Sequence, residues 1–334
     1  MYQKTLIIAE AGVNHNGKLA NALKMVDIAS KAKADYIKFQ TFSPESLSQK
    51  KMKLANYQKK NTFFLDQLKM LKKYSLTFND FKKIKSRCLK KKIKFMTSPF
   101  DEESLKIVKK LNPSYIKIAS GEITNVPLLR SIGKLKKKVI MSTGMSSMKE
   151  ITTGVQILIK SGLRKKNISV LHCSTEYPAN IDRLNLMSVK YLSEKLKMRV
   201  GYSDHSLGVE ASIIAISLGA KIIEKHFTLN KKMKGPDHGA SLSPQELNNF
   251  VKKLRLFEKS IGKFEKKPHR HELINLDIVR KQIVAKKKIT TGQKFSIFNI
   301  TTKRAKKGIP ASEWDKIIGK KSKFNFDIDQ NIKI

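Results

Sequence analysis

Lys38 and Lys117 each lie inside a short apolar run, Tyr36 to Phe39 and Tyr115 to Ala119. A charge there needs a reason, because burying an unpaired ammonium is costly. Several comparable runs end in hydroxyls: Thr97-Ser98, Ser120, Ser142-Thr143 and Ser203. Two ammoniums among many hydroxyl donors suit a small, highly charged anion, notably a phosphorylated carboxylate. His205 and His226 end two consecutive runs, so on neighbouring strands they stand side by side. Neutral imidazoles in that arrangement are good ligands for a divalent transition metal, with water or substrate oxygens completing the shell. As an isolated pattern the same pair equally fits two satisfied structural histidines. Glu10 suits a general base or a substrate-positioning group, and Glu122, in Ser120-Gly121-Glu122, suits contact with a sugar hydroxyl or amide. An N-cap or a loop salt bridge is the alternative for each carboxylate. Asp204 beside His205 fits a helix cap or a partner of that imidazole, His15 is a weaker candidate, and His172 fits a satisfied interior position.

The elements that must hold these groups follow from the runs themselves. Eight occur in the first 226 residues: Leu6 to Ala9, Tyr36 to Phe39, Ile93 to Met96, Tyr115 to Ala119, Val139 to Met141, Ile168 to Leu171, Val200 to Tyr202 and Ile222 to Lys225. Most are separated by segments of helical spacing long enough for a crossover, which predicts eight βα units closing into a (β/α)8 TIM barrel. In such a barrel the chemistry lies at the carboxyl ends of the strands. Glu10 to Gly17 reads as a turn-rich loop and Leu19 to Ala32 as an amphipathic helix. Residues 43 to 92 form the longest insertion, with apolar positions at Phe63, Phe64, Leu65, Leu68, Leu71, Phe78, Phe81 and Ile84. It reads as an extra helix plus the barrel's own second helix, with a lid over the rim as the alternative. Ser243-Pro244-Gln245-Glu246 is a helix start, with Ser243 as N-cap, and the helix runs to about Gly262. The domain expectation is therefore a barrel over 1–262, a polar linker over 263–276 and a small, mostly β domain over 277–334 built from short runs such as Gln282 to Ala285 and Phe295 to Ile300. A module that small buries little surface alone and is expected to pack on its own barrel or on a second subunit.

The charge is the feature most prone to mislead. The 334-residue chain carries 69 Lys and Arg against 27 Asp and Glu, a formal net charge of +42. Such a balance raises nucleic acid or an anionic membrane as partners. The basic residues are mostly Lys, however, and they cluster in helix-like segments such as Lys90-Lys91-Lys92 and Lys136-Lys137-Lys138, without interleaved aromatics. A solvated Lys-coated surface accounts for that pattern better than nucleic-acid recognition, which favours Arg. The expectation is no nucleic acid and no membrane partner, with a field that helps draw in anionic substrates. Hydrophobic residues make up 40% of the chain, enough to fill a core. Two cysteines, Cys88 and Cys173, without a CxxC pair, fit a reducing compartment. With no secretory signal pattern and no uncharged stretch of roughly eighteen residues, a cytoplasmic protein is expected.

Read together, these segments resemble the sialic acid synthases, which condense phosphoenolpyruvate with an N-acetylhexosamine. The resemblance rests on Ile8-Ala9-Glu10-Ala11-Gly12-Val13-Asn14-His15-Asn16-Gly17, Ile37-Lys38-Phe39-Gln40-Thr41, Thr97-Ser98-Pro99-Phe100 and Lys117-Ile118-Ala119-Ser120-Gly121-Glu122. It continues through Ser142-Thr143-Gly144-Met145, His172-Cys173-Ser174-Thr175-Glu176-Tyr177-Pro178, Gly201-Tyr202-Ser203-Asp204-His205-Ser206 and Glu224-Lys225-His226-Phe227-Thr228. Gly235-Pro236-Asp237-His238 and Ala240-Ser241-Leu242 complete it, in order along the whole barrel. The tail is similar to that family's antifreeze-like (SAF) domain.

The resemblance implies that Lys38, Ser98, Lys117, Ser120, Ser142 and Ser203 hold phosphoenolpyruvate, while His205 and His226 bind manganese, with magnesium or cobalt as alternatives. It implies that Gln40, Glu122, Tyr177 and Asp237 contact the sugar, joined by Arg304 from the other subunit of a domain-swapped homodimer, and that Glu10 acts near the reacting carbons. It further implies a transferase in which C3 of phosphoenolpyruvate attacks the open-chain aldehyde of the sugar, water adds at C2, and phosphate leaves to give a nine-carbon 2-keto acid. The first expectation is an N-acetylneuraminate synthase acting on N-acetylmannosamine. The second is a legionaminic acid synthase, or less closely a pseudaminic acid synthase, acting on a diacetamido-trideoxyhexose. Two positions depart from the family: Arg304-Ala305-Lys306 stands where Arg-Pro-Gly is common, and Thr175 where some relatives carry Asn.

Overall fold

The computed structural model describes residues 4–334. Its chain divides into two compact units, one through Gly262 and one from Lys263. In the first, eight parallel strands close into a barrel. The order is β1 (Leu6–Gly12), α1 (Leu19–Lys31), β2 (Tyr36–Thr41), α2 (Pro44–Leu47), α3 (Asn56–Asn61), α4 (Gln67–Tyr74), α5 (Phe78–Lys90), β3 (Lys94–Pro99), α6 (Glu102–Leu111) and β4 (Tyr115–Ile118). Then follow α7 (Val126–Lys134), β5 (Lys138–Ser142), α8 (Met148–Lys160), β6 (Ile168–Cys173), α9 (Met187–Leu196), β7 (Arg199–Asp204), α10 (Glu210–Ser217), β8 (Ile222–His226) and α11 (Pro244–Ser260). The last strand returns to the first, pairing Leu6 with Ile222 through Glu10 with His226.

Strand alternation sorts this sequence into two apolar surfaces and one polar one. Ile8, Tyr36, Met96, Tyr115, Ile140, Leu171 and Ile222 form one buried cluster, contributed by seven different strands. β7 contributes Gly201 to that level, where a Cβ would come within 2.3 Å of the Ile222 carbonyl oxygen and 2.7 Å of Leu171 Cδ2. The residues between them, such as Ile7, Ile37, Phe95, Ile116, Val139, Val170 and Val200, join the larger cluster that the helices cover. Because side chains repeat every two residues along a strand, the next position above each member of the floor faces the same interior.

The helices carry the stop and start signals that their sequences suggest. Ser243 caps α11 by accepting from Glu246 N, with Pro244 in the first turn. Ser147 and Asp101 cap α8 and α6 through the same local geometry. The long insertion forms α2, α3 and α4 before the barrel's own α5. Leu54, Met70 and Tyr74 from this segment bury themselves with Val13 and Phe42 in a satellite apolar cluster.

The second unit contains α12 (Arg270–Leu273), α13 (Leu276–Val279), β9 (Lys281–Ala285), β10 (Ile300–Arg304) and α14 (Trp314–Ile317). Ile283, Ala285, Ile289, Phe295, Ile300, Ile317, Phe326 and Ile332 form its own core. Its strand content is lower than expected. β9 and β10 form a two-stranded antiparallel sheet, while Ile289 and Phe326 meet only as an isolated bridge. The polar stretch expected as a linker carries a short helix, α12.

Candidate active site

One level above the apolar floor, the eight strands present Glu10, Lys38, Ser98, Lys117, Ser142, Cys173, Ser203 and Glu224, and all eight line one cavity of about 460 Å3. The level above adds Gln40, Phe100, Ala119, Thr175, His205 and His226 to its wall. Tyr177, Pro236 and Asp237 come from loops after β6 and β8, and Leu47, Tyr57, Gln58, Gln67, Met70 and Tyr74 come from the extra segment. The segment therefore covers the rim, as the alternative reading of residues 43–92 holds, and the extra helices are the cover.

The charged level is a compact network. Lys38 Nζ lies 3.1 Å from Glu10 Oε1 and 3.5 Å from Glu224 Oε1, and Lys117 Nζ lies 3.2 Å from that same Glu224 oxygen. Ser203 Oγ donates to it at 3.0 Å, and Lys38 donates to Ser98 Oγ at 3.4 Å. Burial opposes every one of these charges, and the neighbours decide the outcome. For Glu224 the two ammoniums outweigh burial and hold the carboxyl below its usual range. For Glu10 burial, helped by Glu224, outweighs Lys38 and lifts it to about 7. Burial also depresses Lys117, whereas the two carboxylates overcome it at Lys38 and raise that group. Glu10 Oε2, Glu224 Oε2 and Ser142 Oγ are buried without a hydrogen-bond partner, so the cavity floor retains unspent polar capacity. Ser120 Oγ accepts from Gly144 N at 3.0 Å and lies 3.2 Å from Cys173 Sγ.

The two rim histidines come together, with ring centroids 5.3 Å apart. His205 Nδ1 is engaged by the Ser174 carbonyl oxygen, which fixes the tautomer and leaves the lone pair on Nε2. His226 Nδ1 is buried without a partner. Burial holds both imidazoles below their usual pKa, His205 at about 4, so both are neutral donors of a lone pair. Among the described residues no group of three or more His, Cys, Asp or Glu side chains converges as a ready metal site. The residues present fit a divalent cation held by two nitrogens, with the remaining positions left to water and substrate. Tyr177 stacks on His205 at 4.1 Å and 30° and meets His226 edge-on at 5.6 Å. Asp237 is buried, with no salt-bridge partner among the described residues, and burial lifts it to about 7.

One expected contact is placed elsewhere. Glu122 does not line the cavity: it lies in a short 3-10 turn, Ser120–Glu122, outside the strand alternation, and accepts from Asn125 Nδ2 at 2.7 Å at the start of α7. It is thus a neutral loop hydrogen bond, neither the sugar contact nor the salt bridge that the sequence offers. Arg304 ends β10 in the second unit, where its side chain is exposed. His172 gives its Nε2 to the Leu184 carbonyl at 2.7 Å and stacks on Tyr202, a satisfied group outside the cavity. His15 is likewise not a wall residue; Gly17 N donates to its Nδ1 at 3.0 Å. Asp204 points to the outer face, where it pairs with Lys225 at 2.8 Å and accepts from Ser206 and Ser212. On the charged level, Glu224 and Cys173 are the residues to which sequence reasoning gives no role; the wall residues of the extra segment, Tyr57 and Gln67 among them, are missed as well. The signal for Glu224 and Cys173 was position, two residues above Ile222 and Leu171.

A sequence profile of the NeuB family matches residues 25–266. The chain is 45% identical to the N,N'-diacetyllegionaminic acid synthase of Campylobacter jejuni subsp. jejuni serotype O:2, covering 99% of both chains. It is 37% identical to the enzyme of the same name from Legionella pneumophila subsp. pneumophila, over 96% of this chain and 90% of that one. Among solved structures, the N-acetylneuraminic acid (sialic acid) synthetase of Leptospira borgpetersenii serovar Hardjo-bovis, in complex with citrate, superposes with a TM-score of 0.72 at 34% identity. That match covers 82% of this chain and 90% of the other. With the profile spanning most of the barrel and relatives aligned end to end, this chain belongs to the NeuB family.

Proposed function

We propose that this protein is a synthase that condenses phosphoenolpyruvate with a diacetamido-trideoxyhexose, giving a nine-carbon 2-keto acid of the legionaminic type and free phosphate. The observation that carries the reading is the cavity itself, with a charged floor of Lys38, Lys117, Glu10 and Glu224 beneath two neutral, neighbouring imidazoles. The two sugar readings change order here. N-acetylmannosamine was the first expectation, and the relatives at 45% and 37% identity, both named for N,N'-diacetyllegionaminic acid, favour the alternative. The upper cavity wall supports it: Phe42, Leu47, Met70, Phe100 and Met145 offer apolar surface suited to acetamido methyls and a deoxy carbon.

The roles follow from position. Lys38, Lys117 and the hydroxyls of Ser98, Ser120, Ser142 and Ser203 bind the carboxylate and phosphate of phosphoenolpyruvate. Glu224 keeps both ammoniums close to the floor, and Glu10, with one oxygen free, orients or deprotonates water near the carbon that loses phosphate. Gln40, Tyr177 and Asp237 face the sugar, Asp237 as an acceptor that shifts readily between neutral and ionised forms. His205 and His226 would hold a divalent ion, manganese first, with magnesium or cobalt as alternatives. Such an ion supplies Lewis-acid polarisation of the sugar carbonyl when bound. The second unit, read as an SAF-like domain, would bring Arg304 to the sugar in a second copy of the chain.

The test is phosphate release from phosphoenolpyruvate with manganese and either sugar. The diacetamido-trideoxyhexose should support faster turnover than N-acetylmannosamine; faster turnover with N-acetylmannosamine restores the sialic reading, and release with no sugar refutes the synthase. His205→Ala and His226→Ala should each abolish release while leaving the far-UV circular dichroism of the barrel unchanged.

A further inference from the structure

α3 belongs to the extra segment, not to the βα repeat, yet one of its side chains reaches the imidazole pair through an intermediate ring. Tyr57 stacks on Tyr177 with centroids 5.0 Å apart and planes 28° apart. Tyr177 in turn stacks on His205 at 4.1 Å and 30°. The three rings form a column running from the cover to the metal-site candidate. His205 is otherwise held by the contact of Nδ1 with the Ser174 carbonyl. A single hydrogen bond sets the tautomer but allows the ring to swing about that contact, and a second ring against its face removes that freedom. Among the described residues the hydroxyl of Tyr57 has one hydrogen bond, accepted from Gln58 Nε2 at 3.4 Å, so its ring carries the contact with Tyr177. The helix is anchored at its other end: Asn61 Nδ2 donates to the Pro236 carbonyl at 3.0 Å, and Gly235 N donates to the Asn61 carbonyl at 3.2 Å. α3 is thereby clamped to the loop that carries Asp237.

We propose that Tyr57 is a positioning residue that, through Tyr177, holds the His205 imidazole in the orientation that presents Nε2 to a divalent cation. The extra segment is then part of the apparatus that captures the ion, beyond its function as a cover. Ion capture and seating of α3 are linked, because the same ring column must be formed for both. The inference rests on the reading of His205 and His226 as the metal pair given under the proposed function.

The experiment is titration of manganese alone into the full-length protein, following the free-ion electron paramagnetic resonance signal, with no substrate present. Wild type should bind the ion and His205→Ala should not. Tyr57→Ala should bind about 10- to 100-fold more weakly, the range for losing a group that orients a metal ligand. Tyr57→Phe, which keeps the ring, should restore most of the affinity. Tyr57→Leu keeps apolar bulk without a stacking face; weak binding by this variant at an unchanged melting temperature supports the ring column. Wild-type affinity in Tyr57→Leu or Tyr57→Ala overturns it while leaving the function reading intact. A wild-type protein that binds no manganese also overturns the proposal, and phosphate release with each sugar then decides the function reading separately.

Discussion

At the scale of the residue, the site is a problem of charge balance inside a nearly closed space. Lys38 stands between two carboxylates and Lys117 beside one, so the ammoniums expected to receive an anion already have partners. This arrangement makes their burial tolerable. Asp237 is the exception, a buried carboxyl without a counter-ion among the described residues. Its pKa rises from 3.8 to about 7 on folding, so between those values the folded chain binds the proton that the unfolded chain has released. Stability from this group is thus present at low pH and lost as pH climbs through about 7. Asp237→Asn does not titrate and should escape that loss. Urea unfolding at pH 5 and pH 8 should show the variant gaining on wild type by about 3 kcal/mol between the two, and an equal difference at both pH values would count against an unpaired Asp237. Much of this site was legible because chemical type and strand position agreed at Lys38, Lys117, Ser98, Ser142, Ser203, His205 and His226. Glu224 is legible as sharing a face with His226, but its role as counter-ion to both ammoniums is not, because that depends on how strands distant in sequence meet across the barrel. Glu122 was misplaced for the opposite reason: its type suited a sugar, but the 3-10 turn took it out of the alternation that aims the other groups inward.

At the scale of the element, the strands were legible from apolar runs bounded by polar ends, and the helices from spacing and caps. The cover was not, because α2, α3 and α4 are four, six and eight residues long. Helices so short owe their existence to tertiary packing. In the second unit, Ile289, Phe295, Phe326 and Ile332 mimic strand periodicity but are spent on a small core linked by single bridges. The cover also approaches the first βα loop closely at Gly17. Gly17 has φ +68°, and a Cβ there would lie 2.1 Å from the Lys73 carbonyl oxygen at the end of α4. Gly17→Ala should force α4 outward, at a cost of about 1–3 kcal/mol, and raise KM for the sugar more than for phosphoenolpyruvate. Steady-state kinetics with each substrate varied would check this, and unchanged constants would mean that α4 yields without disturbing the sugar side.

At the scale of the molecule, a formal charge of +42 surrounds a cavity whose own charges nearly cancel. The field of the Lys-rich surface acts on the approach of an anion, and salt screens it with a Debye length of about 10 Å at 0.1 M. Accordingly kcat/KM for phosphoenolpyruvate should fall with ionic strength while kcat stays nearly constant, as measured by turnover across a sodium chloride series; a flat kcat/KM would show that the surface charge has no part in capture. The barrel seam has a consequence of another kind. Glu10 is among the earliest residues synthesised and His226 among the last of the strands, yet register places them directly opposite each other. No nascent or truncated product lacking β8 can assemble both halves of the reactive centre, so competence arrives only with ring closure. A chain cut short of β8 lacks both Glu224 and His226, which leaves Lys38 and Lys117 without the buried carboxylate they share.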